Sequence, residues 1–145
     1  MKIATIIARS LLGLIFVVFG SNMFLNFIHM PPPPEGPARD FMTALFVSHY
    51  LYIVGAVQVV GGVLLLLGRK VPLGLTLLGP VIVNIVCFHA SMAPPGLPMA
   101  IIVSVLALFL LWNYRKNFAG ILVDAPAQLD SDSQQITART VNAKG

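Results

Sequence analysis

The residues able to do chemistry in this chain are few and uncharged. Asn22, Asn26 and His29 stand at i, i+4 and i+7. On a helix that spacing puts all three on one face. Gln58 stands in the middle of a second apolar run, and Asn84 and His89 stand late in a third. His49 and Tyr52 lie near the start of the second run. Amide, imidazole and phenol groups donate and accept hydrogen bonds. A small amphipathic ligand such as a quinone headgroup needs an apolar slot with a few donors at its carbonyls. The same groups can instead hydrogen-bond between helices and fasten a bundle. For Asn22, Asn26, His29, Gln58, Asn84 and His89 both readings stay open, and no residue is assigned a catalytic role.

Other chemistries have less support. His29, His49 and His89 come from helix ends, and none is paired with another at i, i+4. Such a pair would place two ligands on one helix face, so no metal site is expected. The one cysteine, Cys87, excludes a dithiol relay within the chain. In an apolar run it reads as a small hydrophobe. No G-x-S-x-G, H-E-x-x-H, P-loop or G-x-G-x-x-G pattern is present.

The elements that must position these residues follow from composition. Of 145 residues, 57% are apolar and only 10% are charged. A soluble domain carries about a quarter charged residues, and a domain this small could not hide so much apolar surface from water. The bilayer is the natural solvent. No Asp, Glu, Lys or Arg occurs from Ser10 to Pro34, from Phe41 to Gly68, or from Val71 to Tyr114. A spanning helix needs about 20 mostly apolar residues. The first two stretches hold one helix each. The third is divided by Pro94-Pro95-Gly96-Leu97-Pro98, a run that cannot continue a helix. The expected fold is all-α: a four-helix membrane bundle within residues 1–122, with helices near Thr5–Ile28, Ala44–Leu67, Pro72–Ser91 and Leu97–Tyr114. Lys2 and Arg9 precede the first apolar run as in a signal peptide. That run continues too far, and no A-x-A site follows, so it reads as a retained helix.

Charge orients the bundle. Lys2 and Arg9, Arg69 and Lys70, and Arg115 and Lys116 fall at three places that four spans put on one side. The positive-inside rule makes that side cytoplasmic, with both termini inside. The formal net charge of +4 reflects these flanks. No basic cluster is interleaved with aromatics, and nucleic acid is not an expected partner. The polar residues then gather in the outer half of the membrane, beneath Met30–Asp40. Its Pro31-Pro32-Pro33-Pro34 predicts an extended stretch, read either as a stiff connector or as a lid over an outward pocket. From Val123 to Gly145 the polar composition predicts a disordered cytoplasmic tail.

Inside a bilayer, small residues and polar contacts hold helices together. Gly13 and Gly20 lie seven apart on one face, as do Gly55 and Gly62, with Gly61 adjacent. These predict helix–helix seams, within one chain or in a homo-oligomer.

The order of these features resembles the DoxX family. Arg9-Ser10-Leu11-Leu12-Gly13-Leu14-Ile15-Phe16-Val17-Val18-Phe19-Gly20 resembles the family's opening. So does Gln58-Val59-Val60-Gly61-Gly62 leading through a leucine run to Gly68-Arg69, and Asn84 and His89 fit late in the third helix. The resemblance covers about Arg9 to Gly120. It implies a bacterial or archaeal cytoplasmic membrane and a link to quinone-coupled electron transfer. Family members resemble the small membrane subunit of a thiosulfate:quinone oxidoreductase, and others associate with periplasmic redox enzymes. One departure stands out: members often carry glutamate where this chain has Gln58, and glutamine cannot exchange a proton as glutamate does.

Two functions follow as expectations. One is a DoxX-type membrane subunit that binds quinone and supports a redox partner protein. The other is a non-catalytic structural or assembly protein. Both place the chain among membrane lipids. A small-molecule or lipid transporter is weakened by the absence of intramembrane charge and of a clear inverted repeat.

Overall fold

The computed structural model describes residues 2–29 and 31–119. Among them all regular structure is helical. Helix α1 covers Lys2–Leu25, α2 Pro37–Val47, α3 Tyr50–Leu67, α4 Val71–Ser91 and α5 Leu97–Asn113, with a single 3₁₀ turn, Pro94–Gly96, before α5. A last turn, α6, covers Arg115–Phe118. Four segments are long and apolar enough to cross a membrane: Lys2–Leu25, Tyr50–Leu67, Val71–Ser91 and Pro94–Asn113. The expected tail from Val123 onward lies outside the described residues.

The bundle is a ring. α1 packs on α3, α3 on α4, α4 on α5, and α5 returns to α1. Leu12 and Phe16 of α1, Leu65 of α3, Leu78 of α4 and Leu110 of α5 are fully buried between them. The α1–α3 pair forms the longest seam, and its glycines explain why. A Cβ on Gly13 would lie 2.8 Å from the Gly62 carbonyl oxygen, and one on Gly20 would lie 3.0 Å from the Gly55 carbonyl oxygen. The two backbones therefore touch at two levels of an antiparallel pair, as the seven-residue spacing predicts. Gly61 and Gly74 repeat the device between α3 and α4: a Cβ on Gly74 would lie 3.0 Å from the Gly61 carbonyl oxygen.

Two expected boundaries differ. α1 ends at Leu25 rather than Ile28, because Asn26 takes the left-handed conformation at φ 48°. Asparagine tolerates that conformation and commonly ends a helix there. The span expected from Ala44 also does not run unbroken. Pro37 starts a separate helix at a position where its fixed φ suits a first turn. That helix stops at Val47, and His49 turns left-handed at φ 61° before α3 begins. At 11 residues α2 is about 16 Å long, too short to cross hydrocarbon. Phe41 packs against Phe88, with ring centroids 5.6 Å apart, and ties α2 to the end of α4. The proline stretch before α2 is fastened by Arg39, whose Nε donates to the Pro33 carbonyl at 2.9 Å.

The basic end closes with Gly68, the left-handed C-cap of α3 at φ 68°. The Arg9 guanidinium occupies the space a Gly68 side chain would take. Gly68→Ala should therefore cost about 1–2 kcal/mol from backbone conformation alone. It should also displace Arg9. A lowered unfolding temperature in detergent, larger than that of Arg9→Ala, is the expected outcome.

Candidate functional site

Asn22 lies in the last turn of α1, with 9% of its surface exposed. Its Nδ2 donates to the Ile28 carbonyl at 3.2 Å, and its Oδ1 accepts from the Ile28 N–H at 2.6 Å. Both ends of the carboxamide are thus engaged in holding the chain as it leaves α1. The Asn26 N–H donates to the Asn22 carbonyl at 2.9 Å and completes the cap. Asn26 and His29 lie past the helix end and are exposed. The shared helical face expected for Asn22, Asn26 and His29 does not form. Asn22→Ala should cost about 1–3 kcal/mol, because it strands two backbone groups of Ile28. Thermal unfolding in detergent measures it.

The histidines are also locally engaged. His89, half-buried in the last turn of α4, donates from Nδ1–H to the Ala93 carbonyl at 3.0 Å, and its ring packs against Gly96. His49 is exposed, its Nδ1 within 3.2 Å of the Val47 carbonyl and its ring 5.8 Å from Tyr52. Both shape the turns at the proline end. Among the described residues, no three His, Cys, Asp or Glu side chains stand together as metal ligands. Asn84 is exposed on the outside of the ring.

Gln58 differs from all of these. It is 4% exposed, in the middle of α3, on the seam with α1. Among the described residues its carboxamide has no hydrogen-bond partner. In hydrocarbon an unpaired amide is costly, and buried polar groups in native proteins are nearly always bonded to protein, water or ligand. Gly20 brings α1 against it: a Cβ there would lie 2.9 Å from Gln58 Cβ and 3.0 Å from Val59 Cγ2.

Val59 also lines a groove that opens outward between α1 and α3. It is a shallow, wide-open apolar depression lined by Ser21, Phe24, Leu25, Ala56, Val59 and Val60. Phe24 stacks on Tyr52, with centroids 5.5 Å apart. The groove escaped sequence reasoning, yet a signal existed. Ser21 and Ala56, small residues, directly follow the seam glycines Gly20 and Gly55, and small residues beside a close crossing leave a channel. Of the six residues expected to bind ligand, the structure buries Asn22 and Gln58 on the α1–α3 pair, and of these two only Gln58 has a side chain without a hydrogen-bond partner among the described residues.

A ring of four apolar helices, joined through glycine seams and nearly free of internal charge, defines a small multi-pass membrane protein. The DoxX family model matches residues 4–90, the stretch from α1 through most of α4. The chain belongs to the DoxX family. It is 33% identical over 132 residues to a Bacillus subtilis (strain 168) protein named "Uncharacterized protein YwoB", covering 88% of this chain and 80% of that one. No solved structure matches.

Proposed function

We propose that this protein is a quinone-binding membrane subunit of a redox system, seated in the cytoplasmic membrane with both termini inside. The observation that carries the reading is Gln58, a residue only 4% exposed whose carboxamide has no hydrogen-bond partner among the described residues. Its N–H groups suit a quinone carbonyl, which only accepts. The groove at Ser21, Phe24 and Val60 suits an isoprenoid tail and opens toward lipid, where such a molecule resides. Gly20 packs directly against Gln58 and Val59, so the groove and the carboxamide lie on the same α1–α3 pair. Glutamine holds a quinone without taking its proton, so electrons and protons would be handled by a partner protein. This chain would then bind and present the quinone, and is not itself the catalyst. The basic end at Arg9, Arg69, Lys70 and Arg115 supports the inward orientation.

The test is mass spectrometry of small molecules retained after purification in mild detergent. Quinone at about one per chain in the native protein, and far less in Gln58→Leu, is the expected result. Bulk lipid alone in both would overturn the reading. A non-catalytic assembly role would then be the better account, favoured by the local use of Asn22, His49 and His89 in caps.

A further inference from the structure

The outer surface of α4 is unlike that of its neighbours. α1 presents Ile3, Ile7 and Leu14 outward, and α5 presents Ile101, Val105 and Leu108. These are the bulky aliphatic residues that suit lipid tails. α4 instead exposes Thr76, Pro80, Asn84, Cys87 and Ser91, with Leu73 and Val83 its only large exposed apolar residues. At 100° per residue the first five fall in one narrow stripe. Two of their polar groups are already satisfied. Thr76 donates to the Pro72 carbonyl at 2.9 Å, and Ser91 donates to the Cys87 carbonyl at 2.6 Å. Asn84 has no partner among the described residues. It lies seven residues before the end of α4, about 10 Å below that end. Its carboxamide would therefore face hydrocarbon, where neither water nor lipid tails can bond it. Gly79 shows that this flank is not used inside the bundle, since a Cβ there would meet nothing within 4 Å.

We propose that this stripe is the interface for a second copy of the chain, joined through Asn84. A carboxamide is its own complement. Its electronegative oxygen accepts from the electropositive N–H of another, and two copies related by a twofold axis exchange both bonds. Copies in one membrane share an orientation, so that axis runs along the membrane normal and sets Asn84 against Asn84 at one depth. A purely aliphatic helix would leave the amide unbonded, whereas a second copy supplies a matching donor and acceptor at the same depth. Cys87, one turn further along the same stripe, then approaches its own copy. This inference uses a different face from Gln58 and is independent of the quinone reading.

Oxidative cross-linking of the full chain in its native membranes tests it. The native Cys87 should yield an adduct of twice the chain mass. A Cys87→Ala chain carrying Ile102→Cys on α5 should yield none. Energy transfer between labelled copies in liposomes, followed as lipid is added, then reads association without the thiol. Asn84→Leu should weaken it about five- to thirtyfold, the range of one intramembrane polar contact. Four results would each overturn the proposal: a native chain monomeric in both assays, equal cross-linking through position 102, association unchanged by Asn84→Leu, or a Cys87 adduct with a different protein in place of the double-mass species.

Discussion

Gly62→Leu should abolish accumulation of folded protein, and Gly13→Leu should do the same. A Cβ on Gly62 would lie 2.8 Å from the Gly13 carbonyl oxygen, 2.9 Å from Val17 Cγ2 and 3.0 Å from the Val17 nitrogen. Two of those three atoms are backbone and cannot rotate away. Even alanine must push α1 from α3, and overpacking of this kind costs about 1–3 kcal/mol. Leucine adds a branched side chain where no volume exists. Because small residues and close contact supply the association energy in a bilayer, separating the seam removes the main attraction as well as adding strain. Gly79 provides the contrast. Nothing lies within 4 Å of a Cβ there, and alanine should improve helix propensity by about 1 kcal/mol. Thermal unfolding of Gly62→Ala, Gly13→Ala and Gly79→Ala side by side should show two large losses and no loss in the third.

The second large effect concerns Gln58→Leu and has two parts of opposite sign. Stability should rise. The native residue is 4% exposed and its carboxamide has no partner among the described residues, and an amide kept from water without a bond costs up to about 3 kcal/mol. Leucine has similar bulk and no polar atom to strand. Ligand retention should fall. One hydrogen bond contributes about 0.5–1.5 kcal/mol net, so quinone should bind up to about tenfold more weakly. A residue kept only for packing would not separate the two. Raised stability with weakened binding would mark Gln58 as a place where fold stability is given up for a ligand.

These effects bear on how much the sequence disclosed. The charge-free stretches ending at Gly68 and Tyr114 delimit the spans because a charge inside hydrocarbon is too costly to occur by accident. The pairs Gly13/Gly20 and Gly55/Gly62 disclosed the seam, since seven residues is nearly two turns. The α1 terminus was legible in principle, because Asn26 is a residue that accepts the left-handed conformation. Its i, i+4, i+7 spacing with Asn22 and His29 mimics a shared helix face and hides the cap. The break at His49 is harder to read: histidine enters the left-handed region more readily than most residues, but no glycine or proline marks the turn. The division of labour among the polar residues was also hidden. Spacing shows which residues share a face, but Asn22 turns back to Ile28 through a loop whose path only the fold supplies. Composition likewise could not say that Asn84 faces outward while Gln58 faces inward, as both sit in equally apolar runs.

The most direct measurement of the central claim is the infrared carbonyl stretch of an isotope-labelled quinone added to the purified protein in lipid nanodiscs. A hydrogen bond from the Gln58 amide should shift that band to lower frequency than in empty nanodiscs, and Gln58→Leu should return it. Asn22→Leu should leave the shift in place, because Asn22 is spent on Ile28. A carbonyl band identical in protein-containing and empty nanodiscs would contradict the account, as would a shift that survives in Gln58→Leu.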